Sequence, residues 1–339
     1  MRGLILGTLI AGLLGPVASQ AEDATPNLMS QLDKSFGINA NVFSNLTDDA
    51  WVSELSVPDR SRQIALAGVI RIKGSGDNLV ADLIQSRSAA LAGPSQQHGF
   101  FTDPATFANL SELVLPEGDF EVLASCKPNE CKFKLSAESI QKVMSINWKT
   151  DPSNGQFTEY FRQYLADYVQ KYREQGAAAL IVYDDKPKPF PLRQGAEGIR
   201  RQMTLLESLE PELFAYLGQY PKAQPEKVQS RFYWALKDFG YRPTLSVDQV
   251  ILDSQPQIPG ATAIVVFATI YADHYLAARY QTVLLLDGEA ALGMQGQYLL
   301  MVDRMLFDDG LGSIKRSLLG SGMKSDAQER LEYAARRAR

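Results

Sequence analysis

The chain has 339 residues, of which 45% are hydrophobic and 22% are charged, which are ordinary values for a globular protein. Thirty-four basic against 39 acidic residues give a net charge of -5, which excludes a generally basic nucleic-acid-binding protein. Two cysteines exclude a disulfide-dense scaffold and a four-cysteine metal site, and two histidines leave little for a histidine-rich centre. We therefore predict no metal, no cofactor and no nucleic-acid partner.

The first 21 residues have the pattern of a secretory signal peptide. Arg2 supplies the positive start, residues 3–14 are apolar, and Ser19-Gln20-Ala21 places small residues at the cleavage positions. The apolar stretch is too short for an ordinary membrane span, which disfavours the alternative of an uncleaved anchor. We predict cleavage after Ala21, a periplasmic or secreted mature protein, and no transmembrane segment after cleavage.

Residues 22–60 are interrupted by proline and asparagine and contain no long periodic stretch, so we predict a loosely structured N-terminal segment. A single α+β domain is predicted over residues 61–339. Its helix-rich part, 61–230, begins with a buried strand over Gln63–Lys73, which is rich in β-branched and apolar residues. The second part, 231–339, contains an antiparallel sheet and a terminal helix.

Cys126 and Cys131 bracket a four-residue turn that contains Pro128-Asn129. In an oxidising compartment the first interpretation of such a pair is a disulfide bond. A redox-active pair is the alternative, but the spacing is not the Cys-x-x-Cys of that class.

The strongest helix prediction covers Gln156–Gln175, where aromatic residues recur every three or four positions. This pattern predicts the core face of a helix, with a pocket wall as the alternative because tyrosine hydroxyls need partners. A buried strand is predicted over Ala177–Tyr183, and a longer helical region from about Leu192 to Leu217.

The last third has a different pattern. Five strands are predicted, separated by short connections that favour antiparallel neighbours: Phe232–Phe239, Thr244–Leu252, Ala263–Ala272, Leu276–Leu286 and Gln297–Phe307. A final helix is predicted over Leu311–Ala338, broken or kinked near Gly320-Ser321-Gly322. The fold class is therefore α+β, with a mixed helical N-terminal half and a C-terminal antiparallel sheet of about five strands. The order of these elements resembles the helix-grip (START-like) arrangement, in which a curved sheet wraps a long terminal helix around an apolar cavity.

Three stretches resemble an uncharacterised family of exported bacterial proteins, namely Ser125–Leu135, Gly176–Asp184 and Ile270–Ala277. Arg304–Arg316 resembles that family more loosely. The resemblance covers much of residues 60–320 and implies export, the short cysteine loop and an intact domain. It implies no activity, ligand or catalytic residue.

No serine-hydrolase, Walker A or dinucleotide-binding pattern occurs, so we predict no catalytic residues. Asp184 follows a predicted buried strand, and His274 lies at a strand junction beside Asp273. These two residues are the candidates for the alternative of an envelope hydrolase with an unrecognised site. The ordinary interpretations are a polar loop for Asp184 and a hydrogen-bonded turn for His274.

The absence of catalytic motifs and the sheet-plus-helix pattern favour a non-enzymatic protein that binds an apolar or amphipathic small molecule, for which a lipid is a candidate. A module that binds another envelope protein is the alternative. Phe267 and Tyr271 are the predicted walls of the ligand cavity, and His274, Tyr280 and Arg304 are its predicted polar groups. Arg304 interrupts an apolar strand, so its charge must reach water, an acid or an anionic ligand.

Overall fold

The computed structural model describes residues 28–149, 155–238 and 242–338. The predicted signal peptide, residues 1–21, lies outside the described residues. An eight-stranded antiparallel sheet dominates the fold, in the order β1-β2-β10-β9-β8-β7-β6-β3. Its strands are β1 (Trp51–Glu54), β2 (Gln63–Ile72), β3 (Gln97–Phe101), β6 (Val228–Asp238), β7 (Pro243–Asp253), β8 (Ala261–Ala272), β9 (Leu276–Asp287) and β10 (Gln297–Phe307). A separate two-stranded sheet pairs β4 (Val182–Tyr183) with β5 (Phe190–Pro191).

The α+β class with a large antiparallel sheet is confirmed, and each of the five predicted C-terminal strands is present. The strand count was wrong, because three strands from the N-terminal half join the same sheet. The strand β2 pairs with β10, β1 pairs with β2, and β3 pairs with β6 at the other edge. The pairings of β2 with β10 and of β3 with β6 join residues more than a hundred positions apart, and a search for short connections between neighbouring strands does not detect them.

The prediction of a loosely structured segment before residue 61 is wrong for residues 28–60. This stretch forms α1 (Leu28–Phe36), α2 (Ala40–Ser44) and β1. Leu28, Leu32 and Phe36 recur every four residues and are buried, so α1 docks one apolar stripe on the body. The side chain of Asn39 caps α2 by accepting from the backbone N–H groups of residues 41 and 42. Short helices carry too few residues to show a long periodic pattern.

Nine further α-helices, together with short 3₁₀ turns, lie in the described residues. They are α3 (Asp77–Ile84), α4 (Glu117–Ala124), α5 (Ala137–Met144), α6 (Gly155–Gln175), α7 (Leu192–Arg200), α8 (Thr204–Leu209), α9 (Pro211–Gln219), α10 (Gly288–Leu292) and α11 (Ser313–Arg337).

The predicted strand over Ala177–Tyr183 is wrong for its first half, since Gly176–Ala179 forms a 3₁₀ turn and β4 has two residues. The helical region from Leu192 to Leu217 is three short helices. No helix among the described residues is both long and apolar enough to span a membrane.

Both faces of the large sheet are buried, which explains why its strands are nearly continuous apolar runs. One face, here called the α6 face, packs against α6, α7 and their neighbours. The opposite face, the α11 face, is covered by α3 and α11. Gly68 of β2 permits a close approach of α11, because a Cβ atom there would lie 2.8 Å from the side chain of Leu331. The helix α11 is continuous through Gly320–Gly322, where a break or kink was predicted.

A buried charged network lies between α11 and the sheet. Asp303 of β10 accepts hydrogen bonds from Arg279 of β9 at 3.0 and 2.8 Å and from Arg330 of α11 at 2.7 Å. Both arginines also donate to Gln281 Oε1 at 2.8 Å. Side-chain exposure is 3% for each arginine and 0% for Asp303. Because these charges are removed from water, each one is stabilised only by the opposite charges and hydrogen bonds around it. The network therefore links α11 to the middle of the sheet.

Lys237 of β6 is expected to make stability rise with pH above neutrality. Its ammonium is buried and donates to the Ala92 carbonyl at 2.6 Å. Burial lowers its pKa from 10.5 to about 7, and the nearby charge of Arg279 acts in the same direction. Between these two values the unfolded chain binds more protons than the folded one, so folding gains stability as pH rises. We expect a gain of about 2 kcal/mol between pH 7 and 9 in urea unfolding.

The matched variant for this measurement is Lys237→Met, which retains the length of the side chain without its charge. The gain between pH 7 and 9 should shrink by about the same 2 kcal/mol in the variant. An equal gain in both proteins would assign the pH dependence to other groups.

Candidate functional site

The cavity that best fits an apolar ligand lies beneath the first half of α11. It has a volume of about 200 Å³ and lies where the β8–β9 turn, the end of β10 and α11 meet. Its lining residues are Tyr275, Leu276, Phe307, Asp309, Leu311, Lys315, Leu319 and Met323. Five of these side chains are buried and apolar (Leu276, Phe307, Leu311, Leu319 and Met323). Helix α11 contributes Lys315, Leu319 and Met323, which are spaced four residues apart. One face of the helix therefore forms one wall of the cavity.

An exposed lysine lines this cavity, and two exposed apolar residues of α11 directly precede lining residues in the sequence. Lys315 is exposed and forms no ion pair within 4 Å to any described residue. Asp309 instead pairs with Lys186 at 2.6 Å, and that hydrogen bond lowers the pKa of Asp309. Ile314 and Leu318 are 77% and 62% exposed, one helical turn apart. The first turn of α11 contains no acidic residue and no side-chain cap, so its N–H groups add positive potential.

The structure divides the five predicted ligand residues among separate places. Tyr280 and Arg304 are direct register partners on the α6 face, where they line a space of about 20 Å³. Such a space holds about one water molecule rather than an organic ligand. Arg304 Nε has no hydrogen-bond partner among the described residues, and burial lowers the pKa of the guanidinium.

Phe267 and Tyr271 point to opposite faces of β8 because a β-bulge intervenes. Val247 pairs with Tyr271 and Asp248 pairs with Thr269, which leaves Ile270 as the extra residue. The bulge reverses the alternation, so Tyr271 joins the α6-face core while Phe267 remains on the α11 face. The Tyr271 ring contacts aromatic rings from α6 and β4, and its hydroxyl donates to the Lys134 carbonyl at 2.8 Å.

His274 is buried in the β8–β9 turn rather than at an apolar cavity. Its Nε2 lies 3.0 Å from Asp119 Oδ1, and its Nδ1 lies 3.1 Å from the Lys132 carbonyl. Burial lowers the pKa of His274, but the charges of Asp273 and Asp119 outweigh burial and leave it raised. Burial also raises the pKa of Asp273, to about 7. These contacts fit the ordinary interpretation of His274 as a hydrogen-bonded turn residue. The sequence did not indicate that Asp119, far along the chain, is one of its partners.

The aromatic stripe of α6 is mainly core, and its outer edge borders an open cleft. Phe157, Phe161, Tyr168 and Tyr172 are buried, whereas Tyr160 and Tyr164 are half-buried. The cleft has a volume of about 780 Å³, and Asp184 lines it. Asp184 does not line the same cavity as His274, which is enclosed by Asp119 and Phe133. The two candidates for a hydrolase site are therefore not assembled into one site among the described residues.

The predicted disulfide bond joins Cys126 to Cys131, with a Cα–Cα distance of 4.5 Å. Both cysteines are buried, and the Cys131 N–H donates to the Asp185 carbonyl at 2.9 Å. The bond closes the loop that directly precedes Lys132 and Phe133, the residues in contact with His274. A buried disulfide is compatible with an oxidising compartment.

The sequence reasoning missed the residues of the α11 cavity, although one signal for them was available. Leu311, Lys315, Leu319 and Met323 recur every four residues from just before α11 into its first half, a spacing that predicts one apolar helix face with a single cation. Tyr275 and Phe307 are brought to that face only by the β8–β9 turn and the end of β10. Comparisons with protein-family models, with curated proteins and with solved structures give no match for this chain.

Proposed function

We propose that this protein is an exported, non-enzymatic binding protein for a small amphipathic molecule with an anionic head group and an apolar tail, such as a fatty acid. The observation that carries the proposal is the apolar cavity beneath α11, with Lys315 at its mouth. Export remains part of the proposal, as does membership of the exported family that the sequence resembles. The buried disulfide supports the choice of compartment.

The size of the cavity sets which part of a ligand it holds. An apolar cavity of about 150 Å³ is known to accept a benzene ring, so one of about 200 Å³ accepts a ring or a short alkyl stretch. A longer tail would continue over Ile314 and Leu318, which extend the apolar surface beside the lining face of α11. The buried apolar lining of the cavity, rather than this exposed pair, favours a bound ligand over the alternative of an envelope interaction module.

The charges at the mouth favour an anion. Lys315 and the uncapped N-terminus of α11 both contribute positive potential, while the carboxylate of Asp309, which also lines the cavity, forms an ion pair with Lys186. The arrangement of a terminal helix over an antiparallel sheet, with an apolar space between them, also supports the helix-grip resemblance as a proposal. In that arrangement the ligand lies between the helix and the sheet.

Reversal of the charge at Lys315 tests the proposal. We expect the wild-type chain to bind a dansyl-labelled undecanoic acid, and Lys315→Glu to bind it about tenfold more weakly at low salt. The variant replaces an attraction by a repulsion, each worth about 0.7 kcal/mol at an exposed site. Fluorescence titration of the probe measures both affinities. Unlabelled decanoate should displace the probe, and acetate, which lacks an apolar tail, should not.

Lys324→Glu is the matched control, because Lys324 is exposed on the same helix and lies about 13 Å further along it. It changes the net charge equally but should alter the affinity less than twofold. Equal weakening by both variants would indicate a general charge effect, and an absence of probe binding to the wild type would overturn the proposal.

A further inference from the structure

Three side chains that can bind a metal converge at the β8–β9 turn, whose next residue, Tyr275, lines the α11 cavity. Asp119 lies in the first turn of α4, and Asp273 and His274 form the β8–β9 turn. One ligand atom from each residue lies within 4.8 Å of the other two. The two carboxylates are fully buried and His274 is 4% exposed. Asp119 is separated from Asp273 and His274 by more than 150 positions, so the fold brings the cluster together.

Two carboxylate oxygens in this cluster lack the partners that buried groups normally have. Asp119 Oδ2 and Asp273 Oδ2 are buried, and neither accepts a hydrogen bond from a described residue. Their sister oxygens are partnered, since Asp119 Oδ1 contacts His274 and Arg242, and Asp273 Oδ1 accepts from the Leu245 N–H at 2.9 Å. An unsatisfied buried carboxylate oxygen is costly, and a cation is one group that satisfies it.

The imidazole of His274 is oriented as metal-binding histidines usually are. Its Nδ1 lies 3.1 Å from the Lys132 carbonyl, which fixes an N–H on that nitrogen. That arrangement directs Nε2 towards the carboxylates, with Asp119 Oδ1 at 3.0 Å. In a tetrahedral zinc site with bonds of about 2.1 Å, neighbouring ligand atoms lie about 3.4 Å apart. Small side-chain movements would therefore convert this cluster into a coordination shell.

We propose that Asp119, Asp273 and His274 form a structural Zn²⁺ site, contrary to the sequence-based expectation of no metal. Two carboxylates and a neutral imidazole carry a charge of -2, which a divalent cation balances, and zinc accepts this mixture of nitrogen and oxygen ligands. Zinc replaces the proton on His274 Nε2 and any proton on Asp273, and these protons pass to solvent. Either unpartnered carboxylate oxygen can supply a further ligand. The bound ion fastens α4 and the segment after the disulfide to the β8–β9 turn.

Arg242 would compete with zinc for the carboxylate of Asp119. Its Nη1 lies 3.2 Å from Asp119 Oδ1, and its side chain is 33% exposed. Without zinc, Arg242 and a protonated His274 neutralise Asp119 as a purely structural ion-pair cluster. With zinc, Arg242 can turn towards solvent, which also opens a path for the ion. The two alternatives differ in one measurable property, the stoichiometric binding of zinc at His274.

The wild-type protein, stripped with a chelator and dialysed, is sufficient for the first test. The chain has two histidines, so nitrogen NMR of their imidazole rings resolves His274 from His98. We expect one equivalent of Zn²⁺ to shift the Nε2 resonance of His274 and to leave that of His98, which lies on β3 beside Ser95, unchanged. Shifts confined to His98, or no shift at either ring, would overturn the proposal.

The second test uses variants and metal analysis after equilibrium dialysis against Zn²⁺. Asp273→Asn should weaken zinc affinity at least tenfold while wild type retains one ion per chain. Asp253→Asn is the matched control, because Asp253 is also fully buried but lies at the opposite end of β7, where its Oδ2 is 3.4 Å from Lys227 Nζ. Zinc should also raise the melting temperature of wild type by about 4 °C at a hundredfold excess over Kd. Equal retention by both variants would show that zinc binds elsewhere.

Discussion

Asp303→Asn is expected to destabilise the protein by about 4 kcal/mol. The substitution preserves the shape of the side chain but removes the single negative charge that Arg279 and Arg330 both contact. Two guanidinium groups would then remain buried beside a neutral amide, although Arg330 would keep its ion pair with Asp326 at 2.9 Å. We expect a large loss because a buried charge would be left without its counter-charge. The loss of the attraction within the ion pair is not the main cause. Urea unfolding at pH 7 measures the difference.

The carboxylate of Asp303 also sets how this difference varies with pH. Burial raises its pKa, but the charges and hydrogen bonds of Arg279 and Arg330 overcome that effect and lower it from 3.8 to about 2. Because the folded pKa lies below the unfolded one, the stabilisation is complete above about pH 4 and is lost as the pH falls towards 2. Wild type and variant should therefore differ most near neutral pH and converge in acid.

Asp248→Asn is the matched control for Asp303. Asp248 is also buried on the α11 face, but its carboxylate accepts from the neutral hydroxyls of Ser246 at 3.1 Å and Thr269 at 2.6 Å. Its charge acts on Arg279 and Lys237 without an ion pair within 4 Å to a described residue. The amide can keep one of these hydrogen bonds, so we expect a loss of about 1 kcal/mol. Similar losses for both variants would contradict the special role assigned to the arginine pair.

Tyr271→Ala is expected to cost about 4 kcal/mol of unfolding free energy. The Tyr271 side chain is fully buried, and its ring lies 6.0 to 6.4 Å from four other aromatic rings, those of Phe161, Tyr164, Tyr168 and Tyr183. Removing the ring leaves a cavity where α6 and the bulged strand meet, and dense packing prevents its collapse. Thermal and urea unfolding both measure the loss.

Two further substitutions separate the contributions at this position. Tyr271→Phe keeps the ring and loses the hydrogen bond to the Lys134 carbonyl, so we expect a loss of about 1.5 kcal/mol. Tyr160→Ala removes a half-buried ring at the cleft edge and should cost about 1 kcal/mol. Neither Tyr271→Phe nor Tyr160→Ala should weaken binding of the dansyl fatty acid, because neither residue lines the α11 cavity. Weaker binding by Tyr271→Phe would restore Tyr271 as a ligand wall.

Local sequence patterns correctly predicted those helices, strands and turns whose signal lies within a short stretch of the chain. The five C-terminal strands follow from apolar runs between turn residues, and α6 follows from aromatic residues every three or four positions. The Cys126–Cys131 disulfide follows from two cysteines across a turn. In each case the interacting residues are close in the chain, so spacing alone specifies the structure.

Only the tertiary structure decided which side chains meet. One extra residue at Ile270 reverses the faces of β8 and separates Tyr271 from Phe267, although their spacing of four predicts a shared face. Asp119 reaches His274 across 155 residues, and Arg330, which looks like one more cation of a basic terminal helix, reaches Asp303 in the core. These contacts depend on the pairing of distant strands and the docking of α4 and α11 on them. Periodicity records which residues are buried, but a partner far along the chain is set by how the elements pack.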